Sequence, residues 1–557
     1  MAKTVKVTKT AKHAKKAVKE THVVLRGSKR GKDPSAVKIG KIDPSAEIVV
    51  TIGLAGPKLP SADEAVGQTL SPEEFAQRYG ASQEDADRVA ASLKKFGLKV
   101  ENVSLVARTM KVSGTAKAME AAFRPGMVLM RSAKDGDYRG RTGTLEIPAE
   151  LKGIVTGIFG LDTRRMARRK AKSPAAGTKT STLSPLTPAD LEQRYNFPPG
   201  NAKGQSIAIA EFGGGYFAAD AQAYCAKFGR ATPNIVATAV DAPAYTWQQV
   251  IALPPSQRGQ VLDDSVEVMM DVQIVAGLCS GANITIYFST FDQQGWVDLL
   301  SAVLASPPVA LSCSWGLAEE DPGWSSNAIT AIDDRLNALR LLGVTTCISS
   351  GDDGSGDQIN DGKAHVDFPS SSPNALSVGG TMLTGSGNSI DEVTWWQKPG
   401  QRAGHGGATG GGVSMLFPRP KWQGVRIKSL NQGAIDGRVT PDLAALSGPP
   451  FYDLIFASKD APNGGTSASA PLLTALIGRI CGSLPANKQR RFLTPLLYQR
   501  QSNNTVVGKV AMRDIKTGNN ASFPEPGKGY KAAAGFDATT GWGVPDGAKL
   551  LNGLSAI

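Results

Sequence analysis

The chain has 557 residues, of which 41% are hydrophobic and 20% are charged, and its formal net charge at pH 7 is +13. This composition predicts a soluble globular protein, and the length indicates more than one domain. No run of about 18 apolar residues occurs, so a membrane-spanning helix is not expected. The five cysteines are scattered, odd in number and mostly within apolar runs, which favours small core residues over a disulfide or zinc framework.

The N-terminal residues 1–45 are predicted to form a basic, flexible arm. Residues 1–30 are dense in lysine and lack the apolar segment of a secretory signal. A solvated arm is the simpler interpretation, and binding to nucleic acid or to an anionic surface is the alternative.

Charge is distributed unevenly along the chain. Residues 1–180 contain 35 Lys+Arg and 18 Asp+Glu, a net charge of +17, whereas the remainder contains 27 and 31, a net charge of −4. Opposite net charges favour association of the two parts at neutral pH. Protonation of carboxylates in acid would weaken this association, which predicts an acid-triggered separation.

Residues 46–163 alternate between strand-like and helical segments. Residues 48–52 form an apolar, β-branched strand, and Ser71-Pro72-Glu73-Glu74 predicts a capping box where a helix begins. Further helices are expected near 83–96 and 115–122. This order of elements predicts a small α+β domain.

Residues 164–185 have the composition of a linker. They begin with the basic run Arg164-Arg165-Met166-Ala167-Arg168-Arg169-Lys170 and continue without hydrophobic periodicity. Because proteolytic nicking concentrates in exposed linkers, we expect cleavage between Arg164 and Ser184.

Residues 186–557 contain short, buried-type strands that alternate with helical stretches. The strands are predicted at 206–210, 283–288, 310–314 and 344–349, and one helix at 324–342. Such apolar strands indicate an α/β fold with a mostly parallel sheet and helices on both faces.

Two acids in this part, Glu267 and Asp271, are four residues apart in a helical stretch. That spacing places them on one helix face, where two like charges raise the pKa of one member and titrate as a coupled pair. A glutamate in such a pair is able to accept a proton from serine in acid, where a histidine is already protonated. The alternative is an ordinary acidic pair on a solvated face.

A third acid, Asp352, follows the predicted strand 344–349 in a glycine-rich turn. Open α/β sheets place functional groups at this end of their strands. If it is protonated, such an acid donates a hydrogen bond to a tetrahedral oxyanion. A simple Asp-Gly turn and a calcium loop are the alternatives.

The segment Gly464-Gly465-Thr466-Ser467-Ala468-Ser469-Ala470-Pro471 presents a candidate nucleophile. Glycines permit a tight loop before Ser467, and Pro471 suits the first turn of the buried helix that follows. A helix N-terminus favours developing negative charge near the serine. A capping turn is the alternative interpretation of this segment. A histidine could instead serve as the base, but none of the four histidines lies in a His-Gly-Thr context. They are His13, His22, His365 and His405.

Together these motifs resemble the sedolisin (serine-carboxyl) peptidases, and the kumamolisin branch in particular. The resemblance runs from about residue 46 to the C-terminus and implies a subtilisin-like α/β fold. It implies Ser467 as the nucleophile, Glu267 as its base, Asp271 as the supporting acid and Asp352 as the oxyanion residue. It also identifies residues 46–163 as an α+β, ferredoxin-like activation prosegment that covers the active site.

The resemblance extends to Glu211-Phe212-Gly213-Gly214-Gly215-Tyr216 and Ser312-Cys313-Ser314-Trp315-Gly316. It implies that Glu211 and Trp315 extend the proton network, and that Ser314 and Gly316 bind substrate. Asp367 is similar to an acidic cleft residue that favours basic or polar substrate side chains, although a surface loop acid is a close alternative.

One Ca²⁺ site per chain is implied near the C-terminus. The resemblance assigns the side chains of Asp514 and Asp537 and the backbone carbonyls of Ile515, Ala533 and Gly535 as ligands, which are the hard oxygens that calcium prefers. Ala533 departs from the family's usual glycine.

The function implied is an acid-active serine-carboxyl endopeptidase, made as a zymogen whose prosegment inhibits it and is removed by autoproteolysis at low pH. Its partners would be peptide substrates, with no nucleic acid and no membrane, and the chain would be a monomer. The family implies an extracellular location, although no signal peptide is recognisable. A histidine-based protease, an inactive binding protein and a basic nucleic-acid binder are the competing interpretations.

Overall fold

The computed structural model describes residues 21–133, 135–169, 183–387, 389–402, 406–501 and 504–556. The N-terminal part of the described chain comprises β1 (His22–Val24), β2 (Val37–Lys41), β3 (Glu47–Leu54), α1 (Pro72–Tyr79), α2 (Gln83–Lys94), β4 (Lys99–Ser104), β5 (Thr109–Thr115), α3 (Ala116–Phe123), β6 (Val128–Ser132), β7 (Gly136–Gly140), β8 (Glu146–Pro148), β9 (Val155–Phe159) and β10 (Arg168–Arg169).

The N-terminal part is an α+β unit, as predicted. Its antiparallel sheet has the order β4-β5-β3-β9, which is the strand order of a ferredoxin-like sheet. The predicted capping box is present, because Ser71 accepts from the Glu74 backbone and the Glu74 side chain accepts from the Ser71 backbone. The apolar residues of the sheet and the helices share one core.

The predicted flexible arm is too long. β1 pairs with β8 and β2 pairs with β6, so these segments belong to the N-terminal unit. Arg30 is buried and its guanidinium pairs with Asp162 at 2.9 Å. Local composition hides these strands because their partners lie about a hundred residues away in the chain. Residues 1–20 of the predicted arm lie outside the described residues.

The predicted exposed linker begins in buried structure. Met166 and Ala167 are each 1% exposed, and Trp296 Nε1 donates to the Met166 carbonyl at 2.7 Å. β10 then pairs with a strand of the C-terminal part. The basic residues therefore lie against the larger part of the protein, while residues 170–182 lie outside the described chain.

The C-terminal part starts with α4 (Pro188–Arg194), β11 (Ser206–Phe212), α5 (Ala218–Lys227), β12 (Asn234–Ala239), α6 (Trp247–Ala252), α7 (Pro255–Leu278), β13 (Asn283–Ser289), α8 (Gln293–Ala305), β14 (Ala310–Cys313), β15 (Trp315–Ala318), α9 (Ser326–Leu341), β16 (Thr345–Ser349), β17 (Asp367–Phe368) and β18 (Leu376–Ser386). It continues with β19 (Ser389–Thr394), β20 (Trp396–Gln397), β21 (Gly407–Ala408), β22 (Gly412–Pro418), β23 (Gly437–Thr440), β24 (Leu443–Leu446), β25 (Ile455–Phe456), β26 (Lys459–Asp460), α10 (Thr466–Ser483), α11 (Thr494–Tyr498), α12 (Val507–Ala511), β27 (Met512–Arg513), β28 (Val544–Pro545) and α13 (Gly547–Ser555).

A mostly parallel sheet organises the C-terminal part, as predicted. Its strands follow the order β12-β13-β11-β14-β16-β18-β19, with β24 also paired to β18, and only β19 is antiparallel among the described strands. One face packs on α7 and α10 and the other on α8 and α9, in two separate apolar cores. The carboxyl ends of β11, β14 and β16 lie at one edge, where such sheets place their sites.

The N-terminal unit packs on α8 and α9 of the larger part. Lys111 pairs with Asp241 and lies 3.2 Å from Asp298. The Thr51 hydroxyl donates to Asp298 at 2.8 Å, and Arg335 donates to the Ala107 carbonyl at 3.0 Å. Ion pairs and backbone contacts therefore both hold this interface.

The helix that carries the candidate nucleophile begins earlier than expected. Pro471 was predicted in its first turn, but α10 begins at Thr466 and encloses the proline. All five cysteines are buried and free, as predicted. In the part of the chain that the structure describes, no helix has the length and apolar character needed to cross a membrane.

Candidate active site

Ser467 lies in the first turn of α10 and is fully buried. Gly465 precedes the helix with a φ of 95°, a conformation that side chains rarely adopt. The tight loop therefore turns directly into the helix, and the amide groups of its first turn lie around the serine.

Pro471 leaves one helical hydrogen bond unmade, and a neighbouring strand replaces it. A proline has no N–H to donate to the carbonyl four residues before it, which is that of Ser467. The Ser314 hydroxyl lies 3.1 Å from this carbonyl oxygen. The irregular helix is thus tied to the residue that follows β14.

Ser314 also connects the helix to the acidic residues of α7. Its Oγ lies 2.6 Å from Asp271 Oδ2. A serine hydroxyl has a single hydrogen and the Ser467 carbonyl only accepts, so a proton on the Asp271 carboxyl allows both contacts to be full hydrogen bonds. A protonated Asp271 donates to Ser314, which then donates to the Ser467 carbonyl.

Three buried carboxyls lie together on α7 and at the end of β11: Glu211, Glu267 and Asp271. Burial, and then the charge of Glu267, raises the pKa of Glu211 well above its usual value. Burial, and then the charges of Glu211 and Glu267, raises the pKa of Asp271 in the same way. The alternative of a solvated acidic pair is wrong, because both acids of the helix are fully buried.

Trp315 of β15 donates a hydrogen bond to this carboxyl cluster. Its Nε1 donates to Glu211 Oε2 at 3.0 Å, and its ring is completely buried. The structure therefore brings together the residues for which the sequence predicted a proton network.

Asp352 contacts Thr466, the residue that precedes Ser467. Its Oδ1 accepts from the Thr466 backbone at 2.8 Å and from the Thr466 hydroxyl at 2.7 Å. Burial raises the pKa of Asp352 to about 7, although Arg402 acts in the opposite direction. In acid this carboxyl is consequently protonated and able to donate a hydrogen bond.

The N-terminal unit sends its last described strand into a cleft beside these residues. β10 is antiparallel to β15, with Arg168 opposite Gly316 and Arg169 opposite Trp315. On its other side β15 pairs with β17, which begins at Asp367. The three strands form a small sheet in which β10 occupies an edge position.

Gly316 and Asp367 are in direct contact in the cleft. A Cβ added at Gly316 would lie 2.1 Å from Asp367 Oδ1, so only glycine fits under this carboxyl. Asp367 is 2% exposed, which excludes the alternative of a surface loop acid.

The histidines that the structure describes are engaged elsewhere. His365 Nδ1 lies 2.7 Å from Glu320 and Nε2 lies 2.8 Å from Asp361. Burial opposes the charged imidazole, but these two carboxylates raise the pKa of His365 to about 9. His22 belongs to β1, and the remaining two candidates, His13 and His405, lie outside the described residues.

The residues predicted to bind calcium are also close together. The Gly535 amide donates to Asp514 Oδ2 at 2.9 Å, and the Ala533 amide donates to Asp537 Oδ2 at 3.1 Å. Among the described residues, Asp514 Oδ1 is buried and has no hydrogen-bond partner. A buried carboxylate oxygen of this kind suits a cation, so the donor set fits the predicted ion.

Sequence reasoning missed an ion pair beside Asp352. Arg402 Nε donates to Asp353 Oδ2 at 2.7 Å, and the Arg402 amide donates to Asp353 Oδ1 at 3.0 Å. Asp353 is 1% exposed. The second acid of the Asp352-Asp353 run was the available signal, since a buried acid that is ionised requires a cation.

Known proteins are similar to this chain in sequence and in fold. Residues 34–164 match the family model of the pro-kumamolisin activation domain. The chain is 34% identical to kumamolisin of Bacillus sp. (strain MN-32) over 561 residues, which cover 96% of each chain. It is 28% identical to tripeptidyl-peptidase sed5 of Aspergillus fumigatus, covering 96% of this chain and 97% of the relative.

Among solved structures, Pseudomonas sedolisin, a serine-carboxyl proteinase complexed with two molecules of pseudo-iodotyrostatin, is similar in fold. The TM-score is 0.53 at 25% sequence identity, and the match covers 67% of this chain and 98% of the sedolisin chain. This likeness supports the predicted subtilisin-like sheet of the C-terminal part.

The contacts of Ser314 lead to a prediction for Ser314→Ala. The substitution removes the hydroxyl between Asp271 and the Ser467 carbonyl, so kcat/KM for a peptide should fall about tenfold to hundredfold, as expected for one lost hydrogen bond to a buried carboxyl. Ser312→Ala is the matched control, since the Ser312 hydroxyl in β14 has no partner among the described residues. Equal rates for the two variants would contradict the assignment of Ser314.

Proposed function

The chain belongs to the sedolisin family of serine-carboxyl peptidases and carries its activation prosegment, and from this premise we propose an acid-active endopeptidase with the following residues in its site. Ser467 is the nucleophile, Glu267 is its base, Asp271 supports Glu267, and Asp352 binds the oxyanion. The observation that carries this proposal is that Ser314 links the Ser467 backbone to Asp271 of the buried carboxyl cluster, while a fourth buried carboxyl, Asp352, is bonded to the adjacent Thr466.

The first step is proton transfer away from Ser467. A serine hydroxyl attacks a peptide carbonyl only when a base takes its proton. Glu267 is fully buried on the face of α7 that also carries Asp271, and its charge is felt by both Glu211 and Asp271. Because the neighbouring carboxyls retain protons, Glu267 accepts the serine proton without gathering three charges in one buried volume.

The tetrahedral oxyanion is stabilised by protonated Asp352. Its Oδ1 is held by Thr466, which leaves the other carboxyl oxygen available for the proton. Since the pKa of Asp352 is about 7, the donor form is present in acid and is lost as the pH rises through this value. An ionised Asp352 would repel the oxyanion, so the rate falls toward alkaline pH.

The prosegment inhibits by occupying the cleft, because β10 lies along β15 where a peptide substrate would pair.

We propose that the acid trigger for prosegment release lies in the active site and not at the interface between the N-terminal unit and α8. Burial, and next the charge of Asp241, raises the pKa of the interface residue Asp298 to about 7, although Lys111 opposes this. Separation returns Asp298 to water, so the joined state binds the proton more tightly and acid does not loosen this contact.

Asp367 is proposed to favour basic or polar side chains in the substrate, because its buried carboxyl lies against Gly316, the residue opposite Arg168 of the linker strand. The acceptance of internal peptide bonds is proposed because the strand that lies along β15, β10, is itself an internal segment of the chain. The enzyme is further proposed to be exported, as the family resemblance implies, and to act as a monomer.

A single Ca²⁺ ion is proposed to bind Asp514 and Asp537 together with the carbonyls of Ile515, Ala533 and Gly535. The support is the buried Asp514 Oδ1 without a partner among the described residues and the proximity of both carboxylates to the loop 533–535. The ion would cross-link two C-terminal loops and contribute to stability. It would have no role in hydrolysis, which the side chains named above perform.

The proposal is tested directly by incubating the purified full-length chain at acid pH and measuring the masses of the products by mass spectrometry. The chain should shorten by a cut between Arg164 and Ser184 and then hydrolyse added peptides, whereas Ser467→Ala should stay intact. Processing of Ser467→Ala at the same rate, in a preparation free of other peptidases, would contradict the assignment of the nucleophile.

Asp352→Asn distinguishes the oxyanion role by pH dependence. Asparagine preserves the acceptor for Thr466 and always carries donor hydrogens, so the fall in kcat/KM above about pH 7 should disappear while kcat itself drops. Asp352→Ala should lose about a hundredfold to a thousandfold in kcat at every pH. An unaltered alkaline limb in the asparagine variant would show that another group controls it.

Removal of calcium should lower the melting temperature at neutral pH. A ligand present at about 100 times its Kd stabilises by about 2.7 kcal/mol, which a chelator removes. The measurement uses Ser467→Ala to prevent self-digestion, and Asp514→Ala in the same background should melt lower and no longer respond to the chelator. A melting temperature insensitive to the chelator in the parent would refute the calcium site.

A further inference from the structure

Arg402 contacts the linker strand from a different side than β15 does. It lies between β20 and β21 in the C-terminal part, and its Nη1 donates to the backbone carbonyl of Arg169. The contact is made to the backbone of the linker, not to its side chains. Arg169 itself directs its guanidinium elsewhere, to the carbonyl of Asp263.

The guanidinium of Arg402 is held in place by Asp353. Its Nε donates to Asp353 Oδ2 at 2.7 Å, Nη2 donates to the same oxygen, and the Arg402 amide donates to Oδ1 at 3.0 Å. A planar guanidinium fixed by one carboxylate keeps its remaining N–H groups in a defined direction. Nη1 is therefore pre-oriented toward a peptide carbonyl.

The register shows which part of a substrate this donor would meet. β10 runs antiparallel to β15, so a peptide in its place proceeds from Gly316 past Trp315 toward Ser314. Ser314 lies 3.1 Å from the carbonyl oxygen of Ser467. The residue opposite Trp315 is therefore on the acyl side of the bond to be cut, one position before the residue opposite Ser314.

We propose that Arg402 is a substrate-binding residue that holds the backbone carbonyl of the peptide residue opposite Trp315, whatever the side chain of that residue. The proposal rests on the proposed peptidase function of the same cleft. β15 and Arg402 then both bind the peptide backbone. Arg402 binds the linker in the zymogen and the substrate in the mature enzyme.

Arg402 has a second effect, on Asp352. In the uncut chain the carboxylates around Arg402 are Asp352, Asp353 and Asp357, and Arg168 is the other nearby cation, 3.3 Å from Asp357 and 3.7 Å from Asp353. Burial raises the pKa of Asp353, but Arg402 and Arg168 together lower it well below its usual value. Removal of the linker also removes Arg168. Arg402 then becomes the principal cation beside Asp352 and Asp353.

The test compares Arg402→Gln, Arg402→Lys and the double variant Arg402→Gln/Asp353→Asn with the parent, each as the acid-processed enzyme. Two peptides serve as substrates, with alanine or arginine at the position opposite Trp315. Arg402→Gln should raise KM about tenfold or more for both peptides, in line with the loss of a charge-assisted hydrogen bond. The alkaline limb of kcat/KM should also move to higher pH, because Asp352 loses a neighbouring cation.

Arg402→Lys should separate the effect on peptide binding from the effect on Asp352, since lysine keeps the charge but lacks the fixed N–H groups of the guanidinium. Its KM should rise while its alkaline limb stays near that of the parent. Arg419→Gln is the matched control, because Arg419 makes a similar two-pronged pair with Asp436 on the surface. Its kinetics should equal those of the parent.

The double variant guards against misfolding, because it removes the buried Asp353 charge together with its cation. A double variant that melts like the parent and has an unchanged KM would overturn the proposal. A KM increase confined to the arginine peptide would also overturn it, since the contact would then involve a side chain. Absence of acid peptidase activity in the parent would instead refute the function on which the proposal rests.

Discussion

The structure depends on carboxyl groups that are buried next to one another. Glu211, Glu267 and Asp271 lie in one interior volume, and the hydrogen-bond partners described around them, Trp315 and Ser314, are neutral. Ionising all three in such a place would be very unfavourable, so the cluster holds protons at pH values where exposed acids have lost theirs. This retention of protons lets carboxyls perform the proton transfers for which many serine peptidases use an imidazole.

Asp352 and Asp353 show how neighbouring acids in one loop acquire opposite properties. Both are buried, but Asp353 is paired with Arg402 and its pKa is lowered, whereas Asp352 accepts from neutral Thr466 and its pKa is raised to about 7. One acid therefore anchors a cation and the other carries a proton. The difference comes from the partners that the fold supplies, since both residues are aspartates, adjacent in sequence and equally buried.

Local sequence predicted the elements that carry the candidate site. The i,i+4 spacing of Glu267 and Asp271, the strand before Asp352 and the glycine-rich turn before Ser467 are each short-range patterns, and the resemblance joined them into one site. The missed features arise from distant parts of the chain. β1 is stabilised by β8, the proline inside α10 by Ser314, and the linker strand by β15, so no window of local sequence contains both partners. Arg402 was missed because a loop arginine becomes significant only when its partner is known to be buried.

Infrared spectroscopy of buried carboxyl groups tests the central claim most directly. With Ser467→Ala to prevent digestion, the C=O stretch of protonated acids is followed from acid to neutral pH, and Glu211→Gln and Asp271→Asn identify the contributing residues. The account predicts protonated carboxyl bands that persist to near-neutral pH and weaken in each variant. Loss of all such bands at the pH where exposed carboxyls ionise, with no change in either variant, would contradict it.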